Sequence, residues 1–373
     1  MRFSAFLITC VLLTFQANAQ QYYLFAGTYT NANESKGIYV YKFDAETGAV
    51  TWISNTDSCT NPSYITLSRN GKYLYSVNET GRDKPGRVSA FSFSKSDGSL
   101  TLLNTQPSGG DDPCFVTTDK KGKWLFAANY SGGNLSAFRL NKNGSLQPYT
   151  QLIQHQGSSI NQKRQDKAHV HSTFITPDQR YILAADLGMD IIARYHFDEN
   201  REEPLKRISS TAVEAGSGPR HIAFHPRKSF VYLISELSGT VTVYADIHGG
   251  LIKQQTIATH PDDFKGQPGS ADIHLSPDGH FLYASNRGEE NNLAIFSVDK
   301  KSGLLTKVGY QAIPGTGPRN FIIDPKGKFL LVANQKTNNI VIYKRDEQTG
   351  LLQQLPQQVN LPAPVCLQLL KMK

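Results

Sequence analysis

Apolar and polar positions alternate along this chain in short runs, and the runs recur in a fixed order. At 269–288 (GSADIHLSPDGHFLYASNRG) an apolar run, a Pro-Asp-Gly turn and a second apolar run ending in Ser-Asn follow one another. Five further segments share this grammar: 61–79, 112–130, 169–187, 218–236 and 317–335. Two such runs around a tight turn predict a β-hairpin. The hairpins open at Pro62, Pro113, Val170, Pro219, Ser270 and Pro318. They recur about every 50 residues, as in a repeat array. After each hairpin come two more strand-like runs, such as 87–93 then 100–104, or 240–244 then 251–256. Four strands per repeat is the content of one propeller blade.

The chain ends complete the pattern. Segment 22–30 (YYLFAGTYT) reads as the second strand of a repeat, and 363–370 (APVCLQLL) as a first strand. The expected fold is all-β: a seven-bladed β-propeller with four antiparallel strands per blade. Pairing of the N- and C-terminal strands closes the ring and removes exposed edges. A repeat without a linker predicts one domain over 20–373, and no long stretch has helical periodicity.

Residues 1–19 (MRFSAFLITCVLLTFQANA) do not fit the repeat. A basic start at Arg2, an apolar stretch over 5–15 and the small-x-small Ala17-Asn18-Ala19 predict a secretory signal peptide cleaved near Ala19. The expected location is periplasmic or secreted, with no membrane span. A lipoprotein reading of Cys10 is disfavoured, because Thr9 stands where a small residue would precede the modified Cys. The mature chain then holds Cys59, Cys114 and Cys366, an odd set that predicts buried packing rather than a disulfide framework.

A formal net charge of +8 is spread over short basic runs such as Lys163-Arg164 and Lys300-Lys301. No basic stripe interleaved with aromatics supports a nucleic-acid partner. The field instead favours a small anionic ligand. No P-loop, dinucleotide fingerprint or Gly-x-Ser-x-Gly elbow occurs, so no cofactor is expected. His169 and His171 have two-ligand spacing on one strand, but no spacing supplies a third ligand, and no metal is expected. No sequence feature sets an oligomeric state.

A hairpin folds its start onto its end, so the residues opening the first strand and closing the second converge on one mouth of the central channel. Positions that serve only the scaffold should look alike from copy to copy. The turns do, but the mouth positions do not: they carry His171, Arg220, His221, Glu236, Asp272, Arg287, Arg319 and Gln335. Such divergence suits a single asymmetric ligand, with Tyr29, Glu79 and Tyr130 as outer candidates. Two long connections, 155–168 and 260–269, cross the same face and could border a pocket. Strand alternation would send neighbours such as Arg220 and His221 to opposite faces.

At these residues the chain resembles the seven-bladed propeller lactonase family, which includes 6-phosphogluconolactonases and has fungal carboxy-cis,cis-muconate cyclase as a relative. The resemblance rests on GPRHIAFHP (218–226), ISELSGTVTVY (234–244), ADIHLSPDGHFLYASNR (271–287), PRNFIIDPKGKFLLVANQ (318–335), HSTFITPDQR (171–180) and NYSGGNLSAF (129–138). It implies hydrolysis of a sugar lactone by His171, Arg220, Glu236 and Arg287. His221, Asp272, Arg319 and Gln335 match recurring neighbours and are expected at the substrate, as are Tyr29, Glu79 and Tyr130. The export signal points to an unphosphorylated or uronic lactone. A lactone needs a base for water and positive charge for its oxyanion. His171 is the favoured base over Glu236, with Arg220 and Arg287 at the carbonyl oxygen. The alternatives are a non-catalytic periplasmic binding propeller and a lactonising isomerase acting on a muconate-type acid.

Overall fold

The structure, a computed structural model, describes residues 20–30, 35–81, 84–247 and 249–372. The expected signal segment, 1–19, lies outside the described residues. Seven antiparallel sheets of four strands each form a closed propeller, with no helix among the described residues. Blades 1 to 6 are the six repeats. In blade 4 the strands Pro219–Phe224, Phe230–Ser235, Thr240–Ile247 and Gly250–Ala258 lie side by side in chain order, from the channel outward. Each innermost strand touches that of the next blade, from blade 1 round to blade 7 and back.

Blade 7 is the split one. Its innermost strand, Pro364–Lys371, pairs with Gln21–Thr28, and Ile38–Asp44 and Val50–Asn55 complete the sheet. The closing register sets Tyr22 against Lys371, Phe25 against Gln368 and Gly27 against Cys366. The strands expected from the chain ends are therefore the ones that close the ring.

Burial follows strand position. Second strands such as Trp124–Asn129, Phe281–Asn286 and Phe329–Asn334 are buried at every residue, because neighbouring blades cover both faces. Their sequences accordingly read as nearly continuous apolar runs. Outer strands such as Leu205–Ala212 are mostly exposed. The core is a set of seams between blades: Leu24 and Phe43 of blade 7 meet Phe329 and Ile342 of blade 6, and Tyr232 and Val243 of blade 4 meet Leu282 and Phe296 of blade 5. Cys59, Cys114 and Cys366 are free thiols buried in this scaffold.

One irregularity recurs at the start of the innermost strands. Pro219 pairs with Ser235 and His221 with Ile234, leaving Arg220 as an extra residue. The same shift leaves Cys114, His171 and Arg319 unpaired in blades 2, 3 and 6. A β-bulge re-aims the extra side chain and interrupts alternation. Simple alternation of Arg220 and His221 is interrupted here. Both are buried, and Arg220 Nη1 lies 3.4 Å from His221 Nε2.

Closure predicts a sharp contrast between two substitutions. Leu367 is 1% exposed in the seam between blades 6 and 7, whereas Trp52 on the outer strand is 59% exposed. Leu367→Ala is expected to cost about 2–5 kcal/mol. Trp52→Ala should stay within about 0.5 kcal/mol. Urea unfolding of the two variants checks this.

Candidate active site

The mouth formed by the strand starts holds a cavity of 320 Å³ lined by residues from around the ring. Tyr29 comes from blade 7, Glu79 from blade 1, Cys114 and Tyr130 from blade 2. His171 of blade 3, Glu236 of blade 4, Arg287 of blade 5 and Arg319 of blade 6 complete the wall, with Arg164 from the connection between blades 2 and 3. The bulges place Cys114, His171 and Arg319 there. Tyr130, Glu236 and Arg287 arrive as the residues that follow each second strand, where the chain turns back.

Glu236 is the electrostatic centre. Its Oε2 accepts from Arg220 Nε at 3.0 Å and pairs with Arg287 Nη2 at 2.9 Å. Its Oε1 accepts from Arg164 Nη2 at 2.7 Å. Burial alone would raise the carboxyl pKa, but the guanidinium groups of Arg287 and Arg220 hold it well below the usual range. A carboxylate so saturated with charge-assisted bonds is a poor proton acceptor. Arg220 itself is 1% exposed, and burial lowers its pKa to about 10. It underlies the cavity rather than lining it, bonded also to the carbonyl of Ala271.

His171 is different in kind. Burial, then the charge of Arg220, push its pKa well below 6.5, so the imidazole is neutral at pH 7. Its Nδ1 is buried and has no hydrogen-bond partner among the described residues. The ring stands edge-on to Tyr130 at 5.6 Å, and Cys114 Sγ donates to the His171 carbonyl at 3.2 Å. His169, its possible companion as a metal ligand, stacks on Tyr130 at 4.5 Å and hydrogen-bonds the Tyr130 carbonyl at 3.0 Å. Among the described residues no three His, Cys, Asp or Glu side chains are grouped as a metal site.

The opposite wall carries a second carboxylate in other company. Tyr29 donates its hydroxyl to Glu79 at 2.8 Å, and Ser63 donates to the same carboxylate. The Arg319 guanidinium lies over the Tyr29 ring at 5.5 Å.

Three residues expected at the substrate are not in the cavity wall. His221 sits deeper in the channel, its ring edge-on to Tyr64, Phe115 and Phe174 and its Nδ1 2.8 Å from Asp272 Oδ1. Asp272 also meets His274 Nε2 at 3.0 Å and the side chain of Asn320, tying blades 4, 5 and 6 together. This layer separates the mouth from a second cavity at the turn end of the channel, which Tyr64, Asp272 and His274 help line. Gln335 donates its backbone N–H to Gly317 at 2.9 Å and lies outside the lining.

Cys114, expected only as a packing residue, also lines the cavity, and Arg164 is the lining residue that lies beyond the repeat pattern. It lies outside the repeats, in the long connection 155–168, and reads in sequence as part of a scattered basic pair. The length of that connection was the only signal. The structure holds the segment firmly: His155 bonds Asp186 at 2.7 Å and Tyr195 at 2.6 Å, and Gln165 bonds Asp190 at 2.7 Å. The other long connection, 260–269, borders a separate open cavity with Glu289 and Glu290 instead.

Comparison with known proteins places these features in context. Residues 23–369 match the family described as "Lactonase, 7-bladed beta-propeller". The chain is 41% identical over 352 residues to a 6-phosphogluconolactonase of Formosa agariphila, covering 93% of this chain and 99% of that protein. It is 36% identical over 352 residues to a 6-phosphogluconolactonase of Bacillus subtilis, covering 94% and 99%. The solved structure of the periplasmic gluconolactonase of Pseudomonas aeruginosa superposes with a TM-score of 0.90 at 36% identity, covering 95% of this chain and 100% of that one.

Two stability predictions follow from the buried charges. Glu236→Gln strands Arg220 and Arg287 in the interior and is expected to cost about 3–5 kcal/mol in urea unfolding. Acid should also destabilise the protein in two stages. His171 and His221 have folded pKa values below 6.5, that of His221 about 4, so the unfolded chain takes up their protons first. Stability is then lost as pH falls from about 6.5 toward 4. Glu236 and Asp272, held below 4.5 and 3.8 by their partners, add a second loss at lower pH. Asp324 and Glu290, pushed upward by burial, act the other way. Unfolding midpoints at a series of pH values test this; a flat profile between about pH 7 and 4 contradicts it.

Proposed function

The chain belongs to the seven-bladed β-propeller lactonase family, and on that premise we propose that it hydrolyses a sugar lactone at the channel mouth, with His171 as the general base. The observation that carries the proposal is the His171 imidazole: neutral, lining the cavity, with a buried nitrogen that no described residue engages. Each neighbouring carboxylate is already occupied, Glu236 by three arginines and Glu79 by Tyr29 and Ser63. The cavity, at 320 Å³, lies at the small end of ligand pockets, which span about 300–1,000 Å³, and suits one sugar ring.

In this reading water attacks the lactone carbonyl carbon as His171 takes its proton. Arg287, which lines the cavity beside Glu236, stabilises the oxyanion. The bond from the carbonyl carbon to the ring oxygen then breaks, and His171 returns the proton to that oxygen. The product is an open hydroxy acid, which releases one proton to solvent on ionising. Arg220 acts at one remove. It fixes Glu236, which in turn aims Arg287, and its charge adds to burial in keeping His171 neutral. Tyr29, Glu79 and Tyr130 offer hydrogen bonds to the ring hydroxyls.

Export is part of the proposal. The leader-like segment 1–19 fits a relative named as periplasmic, and among the described residues no helix is long and apolar enough to cross a membrane.

His171→Ala is expected to lower kcat on an aldono-δ-lactone by about 10²–10⁴-fold, corrected for spontaneous hydrolysis. Arg287→Met should lower kcat by a similar order, about 10²–10³-fold. The depressed pKa of His171 further predicts that the acid limb of the kcat/KM profile falls below pH 6.5. A binding propeller without catalysis would show no turnover above the spontaneous rate. Unchanged turnover in both variants would place the site elsewhere.

A further inference from the structure

Among the described residues, three of the four arginines at the mouth are already committed. Arg164, Arg220 and Arg287 all bond Glu236, at 2.7, 3.0 and 2.9 Å. Arg319 alone makes no hydrogen bond or ion pair with any described residue, although it lines the cavity and is half-buried. Its guanidinium rests over the Tyr29 ring at 5.5 Å, a cation–π contact that presents the fork without consuming its N–H donors. Tyr29 is itself fixed by the two oxygens of Glu79, at 2.8 and 2.9 Å.

Blade position sets where this free cation points in relation to the chemistry. Arg319 is the bulge residue of blade 6 and His171 that of blade 3. In a ring of seven, three blades apart is across the mouth. A ligand with its lactone carbonyl at His171 therefore brings its far end to Arg319. The ring contact leaves the N–H donors of this partly buried guanidinium unused, and their lost solvation is made good only when a ligand or water supplies acceptors.

Charge narrows the class of that far group. Glu79 lies on the same wall, so Arg319 and Glu79 balance before any ligand arrives. A dianionic phosphate would meet one guanidinium and one carboxylate. Among the described residues the lining contains no lysine, and no helix N-terminus offers a set of amide donors. A carboxylate carries a single charge and matches a guanidinium fork through two parallel bonds.

We infer that the pocket takes a sugar lactone bearing one carboxylate at the end remote from the lactone carbonyl, and that Arg319 selects it. This rests on the lactonase reading above and names its substrate class.

The test compares three substrates on the full-length mature protein: a hexonic δ-lactone with a terminal CH₂OH, the hexaric δ-lactone with a carboxylate in its place, and the 6-phosphate of the first. The hexaric lactone is expected to exceed the neutral one in kcat/KM by about 10- to 100-fold, carried by KM. Arg319→Gln should collapse that ratio toward unity, and Arg319→Lys should restore part of it. Product inhibition of the unsubstituted protein gives a reading independent of any variant's folding: the open hexarate should inhibit more strongly than the hexonate. Equal use of the neutral and hexaric lactones, or preference for the phosphate, overturns the inference and leaves the lactonase reading standing. No turnover of any lactone above the spontaneous rate overturns both.

Discussion

Ring closure is the constraint on which everything else in this molecule depends. Blades 1 to 6 are each built from a continuous stretch of chain, but the seventh exists only when Gln21–Thr28 pairs with Pro364–Lys371. Without that pairing, blades 6 and 1 would each present an uncovered face, and the seam that buries Leu24, Phe43 and Leu367 against Phe329 and Leu331 could not form. The candidate site depends on it equally. Tyr29 directly follows the closing strand, and its hydroxyl is what fixes Glu79 across the junction between blades 7 and 1.

Within the closed ring, the channel is organised in two polar layers with different work. The deeper layer is a lock. Asp272 gathers His221, His274 and Asn320 from three blades, and burial among Tyr64, Phe115 and Phe174 keeps His221 neutral despite its carboxylate partner. The mouth layer surrounds the cavity. Glu236 spends both oxygens on arginines, which prevents mutual repulsion of Arg220 and Arg287 and leaves His171 in a positive field that suppresses its protonation. Among the described residues, four guanidinium groups stand against two carboxylates at this end of the channel, a positive balance that suits an anionic ligand.

The asymmetry between Glu79 and Glu236 shows how a repeat acquires a function. Both residues directly follow the second strand of a blade, at the same position in the repeat. One is surrounded by arginines from blades 4 and 5 and from an inter-blade loop. The other faces a tyrosine and a serine. The scaffold supplies equivalent positions, and neighbouring blades decide what each position becomes.

Blade number, strand order, closure and the gathering of several named residues at one mouth of the channel were legible in the sequence, because they follow from period-2 alternation and from a repeat that returns to the same place every turn of the ring. Divergence among otherwise equivalent positions singled out His171, Glu236, Arg287 and Arg319, which line one cavity. Tertiary structure alone decided the rest. Alternation cannot anticipate the bulges at Cys114, His171, Arg220 and Arg319, since a bulge depends on pairing with the next strand and not on local pattern. Nor can it rank depth along the channel, which is why His221 and Asp272 looked like pocket residues and proved to be the lock beneath it. Arg164 lay beyond pattern altogether, for a loop residue between repeats has no equivalent to compare with. Its place at Glu236 is set by contacts of His155 and Gln165 with blade 3. Sequence determines what repeats; which side chains meet is a matter of distance, and only the packed ring sets distances.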